Sequence, residues 1–435
     1  MKIAHIAPPW IAIPPKNYGG TEIMLHNLVE EQVAQGHDVT LFAPGDARTS
    51  ARLISFFPHS LIGAGVPWQG HLKAYYHLYK AVEYIKDHDF DMVHTHLSSP
   101  ADMYLFPLMA HLAIPHVMTL HSPFPFDRVQ SWTGNADDCY MEWAPSMPMI
   151  AISKQARAQR TLPLNIVGVV HHGLRMAHFQ PTVMQPESVF VWLGRFAPEK
   201  GPHLAIEAAK KAGVSIVLAG IVDQHMQQSI DYFEQMIKPH IDNQQVKYIG
   251  PVNMERKVDL LSRARGFLNP IQWEEPFGMV MIEAMAVGCP VITFNRGAAP
   301  EIVDHQRSGF LVQDVNEMVQ CISRIDELDR IAVRAHVEHH FTAHTMAKNY
   351  TKVYKNIIAS SIRKLTSSRS SYKDVYASIS VPSPALIAIP PTLVKKEVSA
   401  LIPYQTSQVI KTTVEAGSGM QEAFDTSIFH VRDME

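Results

Sequence analysis

Residues 274–290 read Glu-Glu-Pro-Phe-Gly-Met-Val-Met-Ile-Glu-Ala-Met-Ala-Val-Gly-Cys-Pro. This stretch holds the start, body and stop of a short helix. Pro276 suits a helix entry and no interior position. Gly288 suits a helix exit, and Pro290 then leads into the apolar strand-like run Val291-Ile292-Thr293. A helix entered in this way leaves the amides of Gly278, Met279 and Val280 without intrahelical partners, which makes an anion site beside Phe277. Glu275 precedes the helix, and Glu283 lies about 7.5 Å along its axis from Gly278 at ~1.5 Å per residue. A phosphate on the amides with one carboxylate near each end fits a nucleotide-sugar, one acid serving ribose hydroxyls and the other the sugar.

Working outward, Leu193-Gly194-Arg195-Phe196-Ala197-Pro198-Glu199-Lys200-Gly201 follows a strand-like run. Arg195 can bind two oxygens at once and Lys200 acts as a point charge, so the pair is placed to meet a diphosphate at a strand's carboxyl end. Near the N-terminus, Pro14-Pro15-Lys16-Asn17-Tyr18-Gly19-Gly20-Thr21-Glu22 joins a strand to a helix. Gly19 and Gly20 let backbone amides approach a ligand at a helix start. Neither G-x-G-x-x-G nor a G-x-x-x-x-G-K-[ST] loop is present. Thr119-Leu120-His121-Ser122-Pro123 ends a strand, which puts His121 at the edge of a sheet where ligands of parallel α/β folds bind.

The chain has 435 residues, 46% of them apolar and 18% charged, with a net charge of −3. That length exceeds one ordinary core and the charge gives no case for nucleic acid. Strand and helix signals alternate through residues 1–180 and again through 181–340, which predicts βαβ units and two parallel sheets, an α/β protein. The two prolines in Gln180–Pro186 mark a hinge between the halves. A helical stretch follows within 341–359, and residues 360–435, rich in Ser with scattered Pro, read as a poorly ordered tail. No apolar run reaches the ~18 residues of a membrane span. Prolines at 8, 9, 14 and 15 break the first apolar run, so it reads as a buried strand and not as a leader. Cys139, Cys289 and Cys321 are odd in number and widely spaced, which points to a reducing, cytoplasmic setting and to neither a disulfide framework nor a zinc site.

Other patterns in the chain carry less. Asp87-His88-Asp89 contains D-x-D, but it lies at the edge of the sheet away from a cleft, so metal binding is not assigned. His336 and His340 stand at i, i+4 without the zinc-protease order H-E-x-x-H. The helix Leu72–Asp87 mixes Tyr75, Tyr76, Tyr79 and Tyr84 with Lys73, Lys80 and Lys86. Basic aromatic helices can lie on membranes; the reading preferred is that the tyrosines cover their own domain. His94 and His96 line the first half without an assigned role.

The spacing of Glu275 and Glu283 resembles the E-x7-E motif of family 4 glycosyltransferases, which are retaining enzymes with the GT-B fold: two Rossmann-like domains with parallel sheets facing a cleft. The resemblance covers residues 1–358. It includes the Glu-Pro-Phe-Gly entry, the Gly-x-Pro-Val-Ile exit, Gly-Arg-x(4)-Lys-Gly at 194–201, the Tyr-Gly-Gly-x-Glu loop, Ile152-Ser153-Lys154-Gln155 and His172-Gly173. His172 stands where Asn is common and Arg175 where an acid is common, which leaves loop detail near the hinge open. The resemblance implies an acceptor-side domain at 1–180, a donor domain at 181–340 and a crossover helix at 341–359. It implies transfer of a sugar from a nucleotide-diphosphate donor, UDP foremost, to a sugar, glycan or lipid-linked acceptor without a metal or other cofactor. By the same resemblance His121, Glu275, Arg195 and Lys200 act on the reacting sugar and diphosphate. Gly19, Gly20, Phe277, Gly278, Met279, Val280 and Glu283 bind the donor. Two rival readings stand beside it: a GT-B sugar phosphorylase, and a nucleotide-sugar-binding module without turnover.

Overall fold

The computed structural model describes residues 1–15, 19–122, 139–158, 162–183, 185–224 and 226–378, with side chains through 363. Lys16, Asn17, Tyr18 and Pro123 of the loops above, and the tail beyond 378, lie outside the described residues. Met1–Tyr372 form one compact unit and Lys373–Glu435 a second; the fold below is that of the first.

Two parallel sheets are present. The first is built from β1 (Lys2–Ile6), β2 (Asp38–Phe42), β3 (Arg52–Ile54), β4 (Met92–Leu97), β5 (His116–Leu120), β6 (Met149–Ala151) and β7 (Ile166–Val169), in the order β3-β2-β1-β4-β5-β6-β7. The second contains β8 (Val189–Arg195), β9 (Ser215–Ile221), β10 (Val246–Tyr248), β11 (Gly266–Asn269), β12 (Val291–Phe294) and β13 (Gly309–Val312), in the order β10-β9-β8-β11-β12-β13. The strand order reverses between β1 and β4 in one sheet and between β8 and β11 in the other. Crevices open at such switch points, outside the carboxyl ends of the strands. Arg195 ends β8, and the Glu274–Glu275 loop follows β11, so both fall at the second switch point.

The inner strands are near-continuous apolar runs because helices cover both faces of a parallel sheet. Phe267, Leu268, Val291 and Ile292 are fully buried for that reason. On the first sheet, helix Gly20–Ala34 supplies Met24, Leu25 and Leu28 to a core that also takes Ile3, Val39 and Val117. Helix Ala343–Ser378 crosses back to the same core and buries Tyr350 and Tyr354 completely. Each such ring contributes about 1.5–3 kcal/mol by leaving water. The crossing is tight: Leu174 bonds Phe341 and Ala343 through the backbone, and a Cβ at Gly173 would stand 2.2 Å from the Thr342 carbonyl.

Two differences from the sequence reading have plain causes. Residues 360–378, assigned above to the tail, continue the last helix, because no Gly or Pro interrupts the chain before Pro382. In helix His71–Lys86 the buried face is Ala74, His77, Leu78, Ala81, Val82 and Ile85, while Tyr75, Tyr76 and Tyr79 stay exposed. The small and aliphatic side chains fill the close contact with the sheet, so the tyrosines cover their own domain only in part: Tyr84 packs on Phe42, while Tyr75 and Tyr76 reach Tyr104 and Phe57 with their outer faces in solvent. No helix among the described residues is long and apolar enough to cross a membrane.

Candidate functional site

The Glu275 loop is held from several sides. Lys200, at the end of the turn that follows β8, forms an ion pair with Glu275. The Lys200 ammonium also sits 5.1 Å from the Trp273 ring centre, and Trp273 Nε1 donates to Glu275 Oε2 at 2.9 Å. Lys200 and Glu275 therefore reach one point although 75 residues separate them. Glu274 plays a different part: it accepts from Gly297 N at 2.8 Å, Arg296 Nε at 3.2 Å and Gln155 Nε2 at 3.2 Å. The last of these ties the loop to the first domain.

Gly278 caps helix Met279–Ala286 with φ 96°, a left-handed backbone that a side chain resists. A Cβ there would also stand 2.5 Å from Met281 Cε. Gly278, Met279 and Val280 are partly exposed at the start of the helix, and Phe277 before them is buried. Further along, Glu283 is only 5% exposed and pairs with Lys257 Nζ at 2.5 Å. Arg195 is half-exposed and pairs with Glu199 at 3.3 Å, the weak i, i+4 kind that a ligand anion can replace.

His121 stands just past β5 and is 8% exposed. Its ring stacks on His172 with centres 5.4 Å apart, and His172 lies 4.8 Å from Phe277. One ring thus separates the predicted histidine of the first domain from the Phe277–Gly278 loop of the second. Burial drives the His121 imidazole down to about 3 and that of His172 well below its ordinary value, so both are neutral at pH 7. A neutral ring offers one donor and one acceptor and no charge.

Across the crevice, Glu301 accepts from Lys154 N, Gln155 N and His171 Nε2 at 2.7–3.0 Å. Burial acts to raise its carboxyl, but these bonds outweigh it and hold the group below its ordinary range. The Ile152–Gln155 motif thus serves to join the domains.

The Gly19–Gly20 turn opens helix Gly20–Ala34, and a Cβ at Gly19 would stand 2.7 Å from a Glu22 carboxylate oxygen. Glu22 is 5% exposed. Burial first, with a contribution from Asp102, pushes its carboxyl up from 4.5 to about 7. Asp102 is itself pushed up by burial to about 6. A carboxyl that rises on folding stabilises the folded chain only while protonated. A rise from 4.5 to about 7 corresponds to about 3 kcal/mol. Glu22→Gln should therefore raise the melting temperature at pH 8, with the gain fading below pH 7 and gone by about pH 4.5. Equal melting temperatures for the two proteins at pH 8 would show that Glu22 carries no such burden.

His5, His94 and His96 offer ring nitrogens within 4.8 Å of one another, a grouping with the look of a metal centre. Both nitrogens of each ring have hydrogen-bond partners, which tie the three rings to one another and to Gln32, Tyr354, Thr119 and His121. Sequence reasoning missed Trp273, Lys257, Glu301 and Gln32. Trp273, two residues from Glu275, was within reach of it as an aromatic beside an acid; the others meet their partners only through the fold.

Two family models match this chain: "Glycosyltransferase Family 4" over residues 18–159 and "Glycosyl transferases group 1" over residues 177–328. Among curated relatives, a putative glycosyltransferase YtcC of Bacillus subtilis is 23% identical over 399 residues, which takes in 82% of this chain and 93% of YtcC. Among solved structures, sucrose-phosphate synthase of Thermosynechococcus elongatus has a TM-score of 0.64 at 20% identity, covering 83% of this chain and 100% of its own. Anabaena HepE in complex with UDP-glucose has a TM-score of 0.60 at 18% identity, covering 82% and 100%.

Proposed function

This chain belongs to the glycosyltransferases of family 4 and group 1, GT-B enzymes, and from that premise we propose that it moves a sugar from a nucleotide diphosphate to a hydroxyl acceptor with retention at the anomeric carbon. The observation that carries the reading is the convergence of Lys200, Glu275 and the amides of Gly278, Met279 and Val280 at the second switch point. In this reading Arg195, Lys200 and those amides hold the diphosphate and stabilise the charge that develops as it leaves. Glu283 accepts from ribose hydroxyls and Glu275 from sugar hydroxyls. His121 meets the sugar from the first domain. The apolar pocket of Ile221, Val222, Tyr248 and Pro251 adjoins Arg195, whose register partner is Ile221, and suits the face of a nucleotide base.

The transfer is a same-face displacement. The acceptor oxygen bonds to the anomeric carbon, the bond from that carbon to the diphosphate breaks, and the acceptor proton passes to the leaving phosphate oxygen. Lys200 and Arg195 take the part that a metal ion plays in other transferases. UDP is the first nucleotide to try, because the fold neighbour HepE holds UDP-glucose. The acceptor, a sugar, a glycan or the head of a lipid-linked acceptor, enters from the first domain near Gly20.

A thermal-shift screen with UDP, GDP, ADP and their sugar conjugates, in the presence of a chelator, tests this. Binding to the folded state raises the melting temperature by mass action. One nucleotide is expected to give a shift of several degrees at a hundredfold excess over its Kd, undiminished by the chelator and lost in the double variant Lys257→Met/Glu283→Leu, which leaves no buried charge unpaired. A shift that needs added metal would remove the metal-free mechanism, and none with any nucleotide would remove the donor site.

A further inference from the structure

Behind His121 runs a row of hydrogen-bonded side chains buried between the first sheet and the helices that cover it. His121 Nε2 meets His96 Nδ1 at 3.1 Å, His96 Nε2 meets His5 Nδ1 at 3.1 Å, and His5 Nε2 meets Gln32 Oε1 at 2.7 Å. His5, His96 and Gln32 are completely inaccessible to solvent. The row follows from topology: β1, β4 and β5 are adjacent, His5 pairs in register with His94, and His96 with Thr119. Gln32 comes down from helix Gly20–Ala34.

Burial lowers the His5 imidazole to about 4 and that of His96 well below its ordinary value, as it does for His121. Each ring is then neutral and carries one N–H and one bare nitrogen. That rule makes the row directional. Gln32 Oε1 can only accept, so His5 carries its proton on Nε2 and presents a bare Nδ1. His96 must donate to that Nδ1 from Nε2, which leaves its own Nδ1 bare. His121 must in turn donate from Nε2 and keep Nδ1 bare.

A second branch meets the other end of the Gln32 amide. Gln32 Nε2 donates to the Tyr354 hydroxyl at 3.4 Å, Tyr354 bonds His94 Nδ1 at 2.6 Å, and His94 Nε2 bonds Thr119 Oγ1 at 2.7 Å. At the other end of the row, His121 Nδ1 is buried and has no partner among the described residues. A buried polar atom without a partner costs about 1–3 kcal/mol, and a ligand hydroxyl donating to His121 Nδ1 would relieve that cost.

We propose that Gln32, acting through His5 and His96, fixes His121 as the Nε2–H tautomer, so that its bare Nδ1 accepts a hydrogen bond from a hydroxyl of the transferred sugar. Gln32, His5 and His96 are positioning residues, and none of them touches substrate. The inference rests on the reading above that His121 meets the donor sugar. It adds a specificity rule: a sugar with fluorine, an ether or a carboxylate at that position cannot donate and is rejected.

The test is a two-bond proton–nitrogen correlation spectrum of the full chain labelled with 15N-histidine, in which the tautomer of each ring is read from its nitrogen shifts. The His121 signals are identified by their loss in His121→Asn. They are expected to show a protonated Nε2 in the wild type and in Gln32→Glu, whose carboxylate still accepts from His5. In Gln32→Leu they are expected to show mixed tautomers, with kcat/KM for the nucleotide-sugar found in the thermal screen reduced about tenfold and restored in Gln32→Glu. A protonated Nδ1 in the wild type overturns the proposal outright and needs no altered protein beyond the one used for assignment. An unchanged tautomer in Gln32→Leu overturns the part given to Gln32. If His121→Asn keeps normal turnover, the donor-sugar reading fails instead, whichever nitrogen carries the proton.

Discussion

Lys200→Ala is expected to lower kcat by about two to three orders of magnitude while the protein stays folded, the scale of loss seen when one group that stabilises developing charge is removed. The ammonium lies at the carboxyl end of the second sheet, bonded to Glu275 and over the face of Trp273. In the free enzyme its charge is balanced by Glu275, and in the proposed reading the diphosphate competes for the same contact on donor binding. The leaving group gains negative charge as the sugar bond breaks, so the interaction strengthens toward the transition state, and only such interactions raise kcat. Lys200→Arg should recover little, since a planar fork does not replace a compact cation under Trp273. Steady-state kinetics with the donor varied will show the loss in kcat. A variant with kcat within threefold of the wild type would take Lys200 out of the mechanism.

How much of this was legible beforehand depends on the range of each signal. Helix Met279–Ala286 and the strand Val291–Phe294 were readable because Pro276, Gly278, Gly288 and Pro290 punctuate the chain locally. His121 was readable as a strand-end residue because its strand, His116–Leu120, is a short apolar run with a clear stop. The partners that set the behaviour of these residues were not. Lys257 and Glu283 are 26 residues apart, and Glu301 bonds Lys154 across 147. Neither separation leaves a periodic trace in sequence. His94 and His96 were visible as alternate residues of one strand face, yet their link to His121 depends on β1, β4 and β5 lying side by side. Strand order is a global property, which pattern within one strand does not contain.

Glu283 shows what that missing partner does. Its carboxylate is buried with Lys257, whose own side chain is 15% exposed. Removing one member of a buried pair leaves an uncompensated charge, which typically costs about 3–5 kcal/mol. Lys257→Met is therefore expected to unfold at a markedly lower denaturant midpoint, with Glu283 left alone in the core of the second domain. The double variant Lys257→Met/Glu283→Leu removes both charges and should regain most of the lost stability, because a well-packed apolar pair is often no worse than a buried ion pair. Nucleotide binding separates the two roles of Glu283. If Glu283 also accepts from ribose hydroxyls, the double variant is stable and still fails to bind nucleotide. Stable and nucleotide-binding would mean that Glu283 serves only the fold. Equal midpoints for Lys257→Met and the wild type would mean that the ion pair does not hold the two helices together. In the proposed reading the same carboxylate has a structural partner on one side and a ligand on the other, a reason for an acid in a helix whose neighbours Ile282, Ala284 and Met285 are buried and apolar.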